Sequence, residues 1–182
     1  MKIYTRTGDD GTTGLLYGGR VPKDSPRTVA TGDADEAQAA LGLARAAAGP
    51  DGELADLLVS LERELYVVMA ELATADGNRH RLVAGETLVT PAMVEALERR
   101  IDELSSRFQA PHEFVVPGQN PVSAALDLAR AVVRRAERSA LGIATEGSMA
   151  TTYLNRLSDL LWTVARWQEG EFLPARAEKG AY

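Results

Sequence analysis

The chain has no cysteine among its 182 residues, which excludes disulfides, thiolate nucleophiles and thiolate metal sites together. Its two histidines, His80 and His112, are too few for most histidine-built metal centres. No Glu-x-x-His pair of the kind that holds a di-iron centre occurs, and neither histidine stands in a convincing serine-hydrolase context. No residue is assigned here as a metal ligand. No apolar run approaches the ~20 residues of a membrane span, and Met1 leads straight into IYTRTGDDG without a hydrophobic signal-peptide core. The expectation is a soluble, cytoplasmic protein. A basic excess is also missing. The 26 acidic residues outnumber the 20 basic ones, for a net charge of -6, which argues against binding nucleic acid or anionic membrane through diffuse charge.

What is present is helical periodicity. A chain of this length with 45% hydrophobic residues fills one core, and one domain is the expectation. Residues 28–48 carry an apolar face of small residues (Ala30, Ala37, Ala40, Leu41, Ala44). Asp33, Asp35 and Glu36 crowd the first part of that segment, where acids complement a helix dipole. GPDG at Gly49 to Gly52 reads as a turn. Residues 51–75 present a wide leucine stripe from Leu54 to Leu72, and residues 76–89 read as a long loop holding a solvated His80. Thr90 and Pro91 open a third helix marked by Val94, Leu97, Ile101, Leu104 and Phe108. The short connector APHEFVVPGQNP follows, in which Phe114 by itself reads as a core residue anchoring the loop. A fourth helix spans 121–142 and a fifth 148–169. The fold class is therefore all-α, an antiparallel five-helix bundle in a single domain, residues 1–182. It divides into an N-terminal loop (1–27), the bundle (28–169) and a polar, loosely held tail (170–182).

Two features point to a compact polyanion. In the fourth helix Arg130, Arg134 and Arg138 fall at i, i+4 and i+8 and so stack along one face. Leu126, Ala129, Val133, Ala136 and Ala140 lie on the adjacent, buriable face, and Glu137 is close enough to steer Arg134. Taken alone, such a cationic face is more often merely solvated. The second feature is the N-terminal segment, where Gly8, Gly11, Gly14, Gly18 and Gly19 alternate with Thr5, Thr7, Thr12 and Thr13. Glycine lets backbone amides turn inward and threonine adds hydroxyl donors, the ingredients of an anion nest. Arg6 and Lys23 add charge. No GK[ST] closes a Walker loop. The residues alone reach as far as a helical bundle that binds a nucleoside triphosphate.

Five stretches carry a resemblance further: YTRTGDDGTTGL (4–15), DADEAQAALG (33–42), FVVPG (114–118), ARAVVRRAERS (129–139) and YLNRLSDLLW (153–162). In this order they resemble the PduO-type ATP:cob(I)alamin adenosyltransferases. The resemblance implies homotrimers with ATP bound between neighbouring subunits, and transfer of the 5′-deoxyadenosyl group of ATP to cob(I)alamin with release of triphosphate. It implies that Thr5, Arg6, Thr7, Gly8, Thr13 and Gly14 wrap the triphosphate with Lys23 adding charge. Arg134 and Arg138 would hold the nucleotide from the adjacent subunit, together with Glu137 and Asn155. Asp35 and Arg130 would pair across the subunit interface, Phe114 would pack under the corrin ring in place of the lower axial ligand, and Mg2+ would accompany ATP. A reductase and an adenosylcobalamin-dependent enzyme are the partners implied.

The chain departs from the family pattern in three places. Gln119 stands where a second glycine is usual after FVVPG, Leu126-Asp127 where the fourth helix commonly has Leu-His, and Asp10 where lysine is common. Gln119 and Asp127 motivate an alternative, a carrier or regulator of the same fold that binds ATP or cobalamin without turnover.

Overall fold

The computed structural model describes residues 3–176. It contains five long α-helices: α1 (Pro26–Ala48), α2 (Glu53–Leu72), α3 (Pro91–Ser105), α4 (Pro121–Leu141) and α5 (Ala150–Glu169). Two smaller elements were not read from the sequence. One is an antiparallel two-stranded hairpin, β1 (Thr12–Gly14) with β2 (Arg20–Pro22), in register Thr13 to Val21. The other is a 3-10 helix, Asp76–Arg81, within the stretch expected to be a plain loop.

Local chemistry sets the boundaries. Ser25 caps α1 by accepting from the Thr28 amide, Thr90 caps α3 by accepting from the Met93 amide, and Asn120 forms a reciprocal capping box with Ser123 on α4. Each of these helices has proline in its first turn, where the missing N–H costs nothing. Phe108 falls beyond the end of α3 rather than on it. The first-turn reading of Asp33 is also corrected: α1 begins at Pro26 and has no acidic residue in its first turn. Asp33 instead accepts from Arg135 Nε (3.1 Å) and Ser139 Oγ (2.5 Å), joining α1 to α4.

The helices alternate in direction along the chain. Cross-bundle bonds show α4 antiparallel to both α1 (Asp33 to Ser139) and α5 (Glu137 to Asn155, Asp127 to Arg166). α3 runs parallel to α5, with Glu98 bonded to Arg156 and Leu104 and Trp167 lining one groove further along. The bundle is thus antiparallel between consecutive helices but not between every neighbouring pair. The α1–α4 contact is built from alanines (Ala30, Ala37 and Ala44 with Ala129, Ala136 and Ala140), all fully buried, and small side chains let two helix axes approach closely. Leu58, Leu61, Leu65, Leu97, Leu126, Leu157 and Leu161 fill the rest of the core, each contributing about 1.5–3 kcal/mol of burial.

One buried charge sets the bundle's end near the hairpin. Glu71, 1% exposed, accepts from Arg79 (2.8 Å), the Val89 amide (2.9 Å) and Ser148 Oγ (2.6 Å). Its carboxylate is satisfied from the 3-10 helix, the segment before α3 and the segment before α5. That is how residues 76–89 become an ordered bracket and not a free loop.

Candidate functional site

The N-terminal segment is a braced turn. Asp10 Oδ1 accepts from both the backbone amide (2.9 Å) and the hydroxyl (2.8 Å) of Thr12, and these bonds hold its carboxyl below the usual aspartate value. Arg20, across the hairpin, donates to Thr12 Oγ1 (2.6 Å) and to the Thr7 carbonyl (2.6 Å). Asp10, the departure from the family pattern, therefore takes part in shaping the loop. Arg20 was not foreseen; its only sequence signal was its place beside a glycine pair in the hairpin turn. Thr5 and Thr7 hydroxyls lie 2.8 Å apart. Arg6 is held at φ 61, a left-handed conformation that costs a non-glycine residue about 1–3 kcal/mol. Lys23 crosses directly over Gly8: a Cβ there would lie 3.2 Å from Lys23 Nζ and 3.1 Å from the Thr12 carbonyl oxygen. Gly8 is thus required by close approach.

The hairpin is docked, not a free arm. The Leu16 amide bonds the Ala73 carbonyl at the end of α2. Arg81 stacks on the Tyr17 ring (4.6 Å) and donates to its carbonyl (3.0 Å), and Asn78 donates to the same carbonyl (3.3 Å). The unforeseen 3-10 helix is therefore the hairpin's platform.

On α4, Arg134 and Arg138 are exposed, and among the described residues neither has an ion-pair or hydrogen-bond partner. Glu137 does not bond Arg134; its carboxylate accepts from Asn155 Nδ2 on α5 (3.0 Å), while Asn155 Oδ1 accepts from Arg156 (2.8 Å). Arg135, which had no role in the sequence reading, is bonded to Asp33 and Glu36, and the Glu36 bond is the main reason its pKa is raised. The arginines of α4 are thus split: Arg135 is bonded to α1, and Arg134 and Arg138 are open. Among the described residues no hydrogen bond or ion pair joins the open arginines to the Thr/Gly loop within the chain. Asp35 on α1 is exposed and is not paired with Arg130, whose Nε bonds Asp127 Oδ1 (3.1 Å).

Phe114 is 90% exposed, which overturns its reading as a core anchor. It sits on the wall of a cavity of about 640 Å³ whose lining also includes Asp127, Arg130, Trp162 and Arg166. The connector bearing Phe114 is fixed at its C-terminal end. Gly118, at φ 108, makes a turn only glycine adopts without strain, and Asn120 donates to the Gln168 carbonyl (2.9 Å). The chain following α5 also straps it: the Val116 amide bonds the Leu173 carbonyl (2.8 Å) and the Ala175 amide the Phe114 carbonyl (2.7 Å). The tail, expected to be loosely held, is therefore paired as far as Ala175; residues 177–182 lie outside the described residues. Gln119 is exposed and does not line the cavity, whereas Asp127 does.

Among the described residues no group of three or more His, Asp or Glu side chains could hold a metal ion, and no helix is long and apolar enough to cross a membrane.

The pattern of the family described as Cobalamin adenosyltransferase matches residues 3–168. A curated corrinoid adenosyltransferase PduO of Salmonella typhimurium is 38% identical over 177 residues, 94% of this chain and 51% of that protein. The chain belongs to the PduO-type cobalamin adenosyltransferase family. A curated corrinoid adenosyltransferase of Mycobacterium tuberculosis is 42% identical over 172 residues, covering 91% of this chain and 87% of that one. Among solved structures, a phenylalanine-to-alanine variant of a PduO-type ATP:corrinoid adenosyltransferase from Lactobacillus reuteri, complexed with cobalamin and ATP, has 27% identity. It superposes with a TM-score of 0.83 over 97% of this chain and 100% of that one. An arginine-to-lysine variant from the same organism, complexed with ATP, gives 0.81 at 25% identity over 96% and 100% of the two chains. The cobalamin adenosyltransferase pattern thus spans both the braced loop and the arginine helix, and it includes the Phe114 connector between them.

Proposed function

We infer that this chain transfers the 5′-deoxyadenosyl group of ATP to cob(I)alamin, giving adenosylcobalamin and triphosphate. The observation that carries the reading is Phe114: a large apolar ring held out in solvent at a cavity, in a family whose members act on corrinoids. An exposed ring on a connector held by a capped turn and by the strap after α5 is preorganised for a flat apolar ligand, and ordering it before binding lowers the cost of binding. Packed beneath a corrin ring, Phe114 excludes a lower axial ligand and keeps cobalt four-coordinate, which makes Co(II) easier to reduce.

The nucleotide half is completed by a second chain. Thr5, Arg6, Thr7, Gly8, Thr13 and Gly14 surround the triphosphate of MgATP, and Lys23 adds charge to it. Arg134 and Arg138, together with Glu137 and Asn155, which bond each other, reach it from a neighbouring subunit of a homotrimer. Their lack of intrachain partners supports this assignment, because stacked cations left unpaired are suited to a polyanion. Among the described residues no carboxylate cage is offered to Mg2+, and the ion enters on the triphosphate oxygens as part of the substrate. Asp35 and Arg130 are assigned to pairing across the same interface.

The reaction forms one bond and breaks one. The electron pair of Co(I) attacks the 5′ carbon and becomes the cobalt–carbon bond, while the C–O bond to the triphosphate breaks and the triphosphate leaves with the electrons of that C–O bond. No proton moves at the reacting atoms, so no general base is called for. The chain's work is to align carbon with cobalt and to neutralise charge on the leaving group through Arg134, Arg138 and Lys23.

Anaerobic incubation with MgATP and chemically reduced cobalamin, following the Co(I) spectrum, tests the reading. Adenosylcobalamin formed above a protein-free control supports it. Saturable ATP binding with no product supports the carrier reading instead. A homotrimer completing the site also requires activity to vanish in any variant that is folded but monomeric.

A further inference from the structure

A carboxylate and an arginine outside the roles assigned above form one ion-pair chain in the wall of the Phe114 cavity. Arg166, 1% exposed, donates to Asp127 Oδ2 (2.5 Å) and to Glu169 Oε1 (2.9 Å), and Asp127, 5% exposed, accepts from Arg130 Nε through its other oxygen. The Arg166 guanidinium also lies 5.9 Å from the Trp162 ring centroid. Burying three charges of this kind is costly unless each is paired, so the core gains little from them. Their arrangement does accomplish something else. Arg130 is gripped only by Nε; among the described residues its two terminal nitrogens have no partner, and its side chain is 31% exposed. Arginine has two usable edges, and here one is bonded inside the chain while the terminal nitrogens, in a residue that lines the cavity, are left open.

We propose that Asp127, clamped by Arg166, is a positioning residue that aims Arg130 for the corrinoid half of the reaction. The proposal rests on the adenosyl-transfer reading. Asp127 holds the inner edge, leaving the outer edge for a carboxylate across the interface or for an amide of the corrinoid periphery. Without Asp127 the arginine samples several rotamers, and the cavity lining loses its fixed donor.

The test is a double-mutant cycle read as separate KM values for cob(I)alamin and ATP, with circular dichroism and size-exclusion chromatography as controls. Asp127→Asn raises the KM for cob(I)alamin roughly tenfold, the size of one charge-assisted hydrogen bond, and leaves the KM for ATP unchanged. Arg130→Ala raises it at least as far, and the Asp127→Asn/Arg130→Ala pair is no worse than Arg130→Ala alone, because Asp127 acts through Arg130. Because Asp127→Asn leaves Arg166 with Glu169 as its one remaining carboxylate partner among the described residues, Asp127→Asn/Arg166→Gln/Glu169→Gln is made alongside it. A positioning role requires this folded, neutralised triple variant to keep the raised cob(I)alamin KM, and recovery of the wild-type value would show that Asp127 only balances Arg166. Additive effects in the cycle, or equal changes in both KM values, overturn the proposal while wild-type turnover leaves the adenosyl-transfer reading standing. A wild-type protein that makes no adenosylcobalamin overturns both.

Discussion

The two halves of the site are built in opposite ways. Around Phe114 the single chain supplies the framework: a capped connector, a strap from the segment after α5 and a buried ion-pair chain in the wall. Around the nucleotide loop it supplies a braced turn on one side and unpartnered arginines elsewhere, with no bond linking them. The difference follows from the ligands. A flat, largely apolar ring is recognised by shape, which one chain can preform. A triphosphate needs several cations, and like charges gathered in one chain repel until the anion arrives; the proposed division between subunits would avoid that cost.

Substitutions in each half test that contrast. The largest effect is expected from Arg134→Ala, which lowers kcat/KM for ATP by about 10²–10³, the scale for losing one charge-stabilising donor. Because Arg134 is exposed and unpaired in the chain, the thermal midpoint and the oligomer stay as in the wild type. Wild-type kinetics would remove the arginine from the nucleotide site. Next is Phe114→Ala, which slows the reaction from Co(II) by roughly tenfold more than from pre-reduced Co(I), about 1.4 kcal/mol of barrier; equal slowing on both routes would mean the ring only packs. Ending the chain after Glu169 removes two backbone bonds from the Phe114 connector, each worth about 1 kcal/mol. It therefore raises the KM for cob(I)alamin several-fold with the KM for ATP unchanged, and parallel changes in both would erase the contrast between the halves.

The smallest effect is expected at Asp10. Hydrogen bonds from Thr12 hold its carboxyl below the ordinary value of 3.8, so its stabilisation is present above that value and is lost as pH falls through the lower, folded-state pKa. The thermal midpoints of wild type and Asp10→Asn should differ slightly near neutrality and converge below pH 3.8. A difference that persists unchanged in acid would rule out the carboxylate as the brace.

Much of this was legible in the sequence. The helical stripes that set α1 to α5 were legible because burial on a helix repeats every 3.6 residues and needs no knowledge of neighbours. Leu126, Ala129, Val133, Ala136 and Ala140 are all fully buried, as that period requires. The β1–β2 hairpin was missed because strands of three residues are too short to show a period of two. Residues 76–89 looked like a loop because their order comes from Glu71, outside them, which is bonded to Arg79 and Val89.

At the site, the sequence by itself determined which chemistry is possible: no thiolate, no histidine centre, a Thr/Gly loop and a stripe of arginines. It could not say which arginines were free. Arg135 and Arg134 are adjacent in the chain and alike in composition, yet a helix turns about 100° per residue. That rotation carries Arg135 onto Asp33 and Glu36 of α1 and leaves Arg134 in solvent. Phe114 tells the same story in reverse. Its apolar ring favours burial on composition, and only the strap from Leu173 and Ala175 and the turn at Gly118 decide that it stands outside the core. Partners distant along the chain made those choices, so only the tertiary structure could reveal them.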